Sequence, residues 1–309
     1  MEKTLRNHGE WVFVAVGIAV GAFASENAYG QVTNSETKAS VPAEGTNAVP
    51  GRLRSWELPP IIVTGERAER TSDYREDDRV GSYGQPRWTA TRKFTTTRVY
   101  VVPEGKMEAE YWLRSTFNKD GTVNYRSLYE AEFGLPHRLQ LDFYARTDQQ
   151  AGGEVYNSQQ YEVRYALADW GELPANPTLY FEWIRHEDDG EPNQVEPKLL
   201  FGGDICPRWH WGLNLVGEFQ TGGELEREYS VRSGISHTLV DSKFAVGVES
   251  QANFTDTKDD RGDLESAVTV GPSFQYRPLP QMTVNFAPLF GVTGDSPVAQ
   301  VWLNAGWEF

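Results

Sequence analysis

The chain has 309 residues, 44 acidic and 29 basic, for a formal net charge of −15, a balance that argues against phosphate contacts and so against nucleic acid as a partner. Hydrophobic residues make up 39% and aromatics 13%, with ten Trp. The mean hydropathy of −0.55 leaves a membrane barrel open, because only every second strand residue of such a barrel needs to be apolar.

Residues 1–30 place Lys3 and Arg6 before an apolar run from Trp11 to Ala24, with small-residue sites at Ala22-Phe23-Ala24 and Ala28-Tyr29-Gly30. This is the pattern of a secretory signal peptide; an uncleaved anchor is the other reading. The run is short for a transmembrane helix, which needs about 20 apolar residues, and nothing else in the chain is longer. Any membrane span is therefore expected to be made of strands. Residues 31–57, rich in Ser, Thr, Asn, Ala, Pro and Gly, bury too little to offset chain entropy and read as a disordered periplasmic linker.

Residues 58–105 begin with Leu58-Pro59-Pro60-Ile61-Ile62-Val63-Thr64-Gly65-Glu66-Arg67, a short β-prone segment suited to adding as a strand to a partner sheet. Ile61 to Arg67 resembles the TonB box of TonB-dependent outer-membrane receptors. The resemblance implies a TonB-like periplasmic partner held by Ile61, Ile62 and Val63, although the chain has no room for the large plug and twenty-two strands of those receptors. An ordinary β-prone lead-in is the alternative. Gln85 to Pro103 carries aromatic and basic residues and is expected either to plug an acidic lumen or to serve as a periplasmic lead-in.

From 106 to 309 the chain alternates apolar and polar residues in segments of about ten, which predicts an all-β fold, a transmembrane antiparallel up-and-down β-barrel. The segments are 107–117, 125–135, 139–148, 161–168, 178–186, 195–201, 209–220, 229–238, 243–252, 264–276, 282–292 and 299–309. Twelve is even, as single-chain bacterial barrels require. The polar connectors 118–124, 149–160, 187–194, 221–228, 253–263 and 293–298 read as outer loops. Acidic runs in them could collect cations, but such runs are usually only solvated. The opposite links are short, apart from 169–177.

Tyr111, Leu113, Tyr129, Phe133, Leu141, Phe143, Val163, Tyr165, Phe181, Trp183, Trp211, Leu213 and Leu215 fall on the predicted lipid face. Trp183, Trp209, Trp211, Trp307, Tyr129 and Tyr229 lie near strand ends, where rings prefer the membrane interface. The lumen side carries Glu108, Glu110, Arg114, Arg126, Glu130, Glu132, Asp142, Arg146, Glu162, Arg164, Glu182, Glu196, Lys198, Glu218, Arg232 and Glu249. Arg–carboxylate ladders between neighbouring strands are expected there, with a surplus of carboxylates favouring cations. In the last segment Val301, Leu303, Ala305, Trp307 and Phe309 share one face and resemble the β-signal read by the barrel assembly machinery.

No cofactor, metal-ligand spacing or catalytic constellation is expected. Ser236 and His237 are adjacent and so point to opposite faces of a strand, while His186 and His210 stand alone in sequence. The lone Cys206 permits no internal disulfide and is expected as a small buried residue at a turn. Two functions remain open: a small outer-membrane channel or transport-related barrel, and a plugged barrel with a structural or surface-binding role.

Overall fold

A computed structural model describes residues 75–188 and 191–309. The signal peptide, the linker and Ile61–Val63 lie outside the described residues. Twelve strands from β3 (Met107–Phe117) to β14 (Ala299–Glu308) form one closed barrel in which every chain neighbour pairs antiparallel. Closure runs from Ala299 opposite Phe117 to Glu308 opposite Glu108, and the Phe309 N–H adds a bond to the Met107 carbonyl at 2.9 Å. A closed ring leaves no unpaired strand edge, the condition for spanning lipid with sheet. Among the described residues no helix is long and apolar enough to cross a membrane.

Period-two alternation dictates which face is which. In β7 (Thr178–His186) Thr178, Tyr180 and Ile184 are buried inside, while Leu179, Phe181 and Trp183 are exposed outside. Tyr129, Leu141, Phe143, Val163, Tyr165, Leu215 and Tyr229 also stand exposed on the outer face. In β14 Leu303 and Trp307 point outward, whereas Asn304 and Gly306 are buried on the inner side.

Several strands are longer than the alternation predicts. β4 runs Val123–Leu135, β6 Val155–Ala166, β8 Gln194–Cys206, β10 Arg227–Val240 and β11 Phe244–Asp256. The far-side loops shrink accordingly to 118–122, 150–154, 187–193, 221–226 and 257–264. Strand pairing persists there without apolar alternation, because ladder hydrogen bonds need no lipid-facing side chain. Cys206 is a second correction: it is exposed at the end of β8, where a register shift between Asp204 and Cys206 turns it away from packing.

Residues 75–103 run through the lumen on the side of the termini. They comprise a small antiparallel pair, β1 (Arg79–Val80) with β2 (Gln85–Pro86), a single helical turn α1 (Arg87–Ala90), and an extended stretch to Pro103. Trp88, Phe94, Val99, Tyr100 and Val101 are buried and form an apolar cluster with Tyr83 and Ala166. The long 167–177 link covers this cluster: Trp170 meets Trp88 edge-on at 5.6 Å and Tyr100 at 5.3 Å, and Tyr100 Oη donates to the Ala168 carbonyl at 2.6 Å. That packing accounts for the one long link among the short turns.

Candidate functional site

The inner wall meets residues 75–103 with side chains chosen for the contact. Asn214 accepts the Arg98 N–H at 2.8 Å and donates to the Arg98 carbonyl at 2.6 Å. Gln140 Oε1 accepts the Val102 N–H at 2.6 Å, and Gln275 donates to the Thr91 carbonyl. These bonds satisfy backbone groups that have no sheet partner of their own, as buried amides require.

Beside them lies a row without side chains. Gly202 of β8 is opposite Gly212 of β9 (Trp209–Gln220), which is opposite Gly234 of β10. Phe94, Thr97 and Val99 lie on that row so closely that a Cβ at Gly202 would stand 2.3 Å from Val99, and one at Gly234 2.5 Å from Phe94. Glycine inside a strand marks such close approach. The signal is present in the sequence as three inward glycines on successive strands, but apolar periodicity does not register a position that has no side chain.

The expected Arg–carboxylate pairing between neighbouring strands holds for Arg126 and Asp148, which are directly opposite and 2.5 Å apart, but most of the charged rows are arranged differently. Glu108 is directly opposite Glu132, Glu110 opposite Glu130, and Arg114 opposite Arg126. The like-charge row continues from Glu132 to Asp142, Glu162, Glu182 and Glu196 across β5 (Leu139–Gln149) to β8. Like charges directly opposite destabilise a sheet, so compensation has to come from elsewhere. Arg164 approaches Asp142 at 3.0 Å and also pairs with Glu162, while Lys198 approaches Glu196 at 2.6 Å and Glu182 at 3.8 Å.

For Glu110, Glu130 and Glu132 the main cation comes from residues 75–103. Arg92 Nε lies 2.5 Å from Glu110, and its Nη2 lies 3.2 Å from Glu130 and also pairs with Glu132. Its guanidinium carbon stands 4.9 Å from the centre of the Trp112 ring. Arg98 sits over the same indole at 4.7 Å and reaches Glu130 at 3.6 Å.

The far half of the lumen holds a polar cavity of about 140 Å³, lined by Arg98, Arg114, Arg126, Arg146, Lys198 and Arg232 together with Glu130, Glu182, Glu196 and Glu218. Arg126 and Arg146 share Asp148 at 2.5 Å each. Arg114 lies over the Trp302 ring at 5.3 Å. The charged positions read from sequence as lumen-facing, Glu108, Glu110, Arg114, Arg126, Glu130, Glu132, Asp142, Arg146, Glu162, Arg164, Glu182, Glu196, Lys198, Glu218, Arg232 and Glu249, sit on inward strand positions, with acids concentrated near the termini and bases beyond them.

Near the termini, Glu76 holds a second polar knot. Its carboxylate lies 2.8 Å from Lys93 Nζ and 3.3 Å from His210 Nε2, and it accepts from Thr238. His210 Nδ1 faces Asp204 at 2.6 Å, and the ring stacks on Trp88 at 4.4 Å. Burial pushes Glu76 up, yet its His210 bond and the Lys93 charge outweigh burial and hold it at about 2, below the ordinary 4.5. His210 is thereby a contact to residues 75–103, a role that its isolation in sequence concealed. Ser236 is buried while His237 stacks on Trp209 at 4.6 Å, on the opposite face as expected.

No protein-family model matches the chain, and no curated protein matches it. The barrel is similar to an outer-membrane channel from Pseudomonas putida F1, at 9% identity and a TM-score of 0.51, over 68% of this chain and 98% of that one. It is also similar to the KdgM porin, at 9% identity and 0.48, over 65% and 99%, and to the NanC porin, at 13% and 0.46, over 65% and 98%. At these identities the likeness is one of fold.

Proposed function

We propose that this chain, a twelve-stranded barrel of the bacterial outer membrane, is a transport channel closed on its periplasmic side by residues 75–103 and opened when that segment is drawn out. The observation that carries the reading is the nature of the contact. Hydrogen bonds and ion pairs hold much of the segment on its glycine seat and exchange for water when it leaves, while the apolar cluster around Trp88 and Tyr100 is the part whose exposure opening has to offset. Twelve strands enclose more space than the roughly eight that side chains alone fill, so a separate element has to close the lumen, and here that element is held largely by polar contacts. Ile61, Ile62 and Val63, a short way upstream, give a TonB-like periplasmic protein a strand to capture and pull. The outward residues Val301, Leu303, Ala305, Trp307 and Phe309 serve recognition by the barrel assembly machinery.

Planar-bilayer recording of the full chain is the test. The wild type is expected to be closed for most of the record, and Gly212→Val, which blocks the seat, is expected to give sustained steps of conductance. A folded Gly212→Val barrel with no current would favour the structural, non-conducting role. For coupling, a photocrosslinker at residue 62 should capture a periplasmic protein. Ile62→Pro tests the same contact from the other side: it removes one donor and fixes φ, so a partner that binds by strand addition is lost.

A further inference from the structure

The wall around Arg92 is built as a guanidinium site in its own right. Trp112 Nε1 donates to Glu130 Oε2 at 2.7 Å, Asn304 Nδ2 to Glu110 Oε2 at 3.0 Å, and Gln140 Nε2 to Glu132 Oε2 at 3.0 Å. Each carboxylate is therefore oriented by a barrel residue rather than by Arg92. Three converging carboxylates and an indole face are the groups that recognise a planar cation by bidentate bonding and cation–π contact. With Glu108 the site gathers four carboxyl groups around Arg92, and the other cations within 4.0 Å are Arg98 and Arg164, both on Glu130. Glu108 is only 3% exposed, its Oε1 has no hydrogen-bond partner among the described residues, and its carboxylate lies within 4.8 Å of those of Glu110 and Glu132. An uncompensated carboxylate in such a setting is costly, and a barrel that only needed a fixed filling would be better served by fewer acids.

We infer that Glu110, Glu130, Glu132 and Trp112 form a binding station for a guanidinium-bearing solute, occupied in the resting chain by Arg92 as a tethered stand-in. The inference rests on the transport reading and adds the solute class. Withdrawal of residues 75–103 removes Arg92 and exposes the station. A solute head group then takes the same three carboxylates, and its occupancy opposes the return of the segment.

The test is chemical rescue in the full chain. Exposed Cys206 is replaced by Ser, and Thr97, buried against Gly212, is replaced by Cys as a reporter of docking. Arg92→Ala is expected to speed maleimide labelling of Cys at position 97 about tenfold. Methylguanidinium at millimolar concentration should return the rate to the wild-type value with saturation, and tetramethylammonium at equal ionic strength should not. Glu132→Gln in the same background should abolish the rescue. Equal effects of the two cations, rescue by calcium alone, or rescue that survives Glu132→Gln would each overturn the inference. If Arg92→Ala lowers the heat-modifiable folded form, Arg92→Gln, which keeps more of the side-chain volume, carries the same comparison. Labelling does not depend on current. Rescue without conductance in the released barrel therefore removes the transport reading and leaves the site standing, whereas conductance without rescue removes the site alone.

Discussion

Glu249 and Thr96 are 153 residues apart in the chain, yet Glu249 Oε2 accepts both the backbone N–H of Thr96 at 2.7 Å and its hydroxyl at 2.6 Å. The other oxygen takes the Thr95 N–H at 2.8 Å. One barrel carboxylate thus satisfies two successive amides of the lumen segment. Glu249→Gln replaces one acceptor with an NH₂ group facing an N–H, a loss of about 1–3 kcal/mol for an unsatisfied buried group. Labelling of Thr97→Cys in a Cys206→Ser background should accelerate by about 5- to 150-fold, with the heat-modifiable form of the barrel unchanged. An unchanged labelling rate would show that the segment is held elsewhere.

Gly212→Val should displace the segment by steric conflict rather than by loss of a bond. A Cβ at Gly212 would already stand 2.9 Å from Thr97 and 3.1 Å from Val99, and the branched side chain extends further. Gly152→Ala on a far-side loop, with no atom within 4 Å of the added carbon, is the control. Limited proteolysis from the periplasmic side should cut residues 75–103 in the first variant and spare them in the second.

Glu76 makes docking sensitive to acid. Its folded value of about 2 lies below the ordinary 4.5, so its contribution is complete above about pH 4.5 and is lost as pH falls towards 2. The groups around it are Lys93, His210, Thr238 and the Asp241 carboxylate, which accepts the Glu76 N–H at 2.9 Å. In hydrogen exchange of residues 75–103, compared between the two proteins at each pH, wild type should be better protected than Glu76→Gln at pH 7, and the two should converge between pH 4.5 and 2. A gap of constant size across that window would assign the effect to another carboxyl.

Leu213 and Asn214 separate the two faces of β9. Leu213→Arg puts a charge against lipid, at about 2–4 kcal/mol near the bilayer midplane, and should lower the folded yield in outer membranes. Asn214→Arg leaves lipid contacts alone but removes both hydrogen bonds to Arg98. It should fold as a barrel and release the segment, read as normal heat-modifiability with fast labelling at Thr97→Cys.

The strand number and the inward and outward faces could be read from sequence, because lipid on one side and a polar lumen on the other impose a period of two. Val155 to Gln160 escaped that reading: Tyr-Asn-Ser-Gln-Gln has no apolar alternation, yet its residues pair with β5 from Gln149 to Tyr144. The opposition of Glu108 to Glu132 was hidden for another reason. It depends on the register of β3 with β4, and a slip of one residue would exchange lumen and lipid faces. Residues 75–103 have no periodicity, and their anchors, such as Glu249 for Thr96, lie far off in the chain. Arg92 in particular gives no local hint that three glutamates from two strands converge on it.

The inward glycines at 202, 212 and 234 leave β8, β9 and β10 with a bare arc inside an otherwise lined wall, each glycine weakening its strand by about 0.5–1 kcal/mol relative to alanine. Phe94, Thr97 and Val99 supply the missing lining. Emptying the barrel therefore also thins its wall at one place, and backbone amides of Gly212 and its cross-strand neighbours are the ones whose hydrogen exchange should quicken first when residues 75–103 depart.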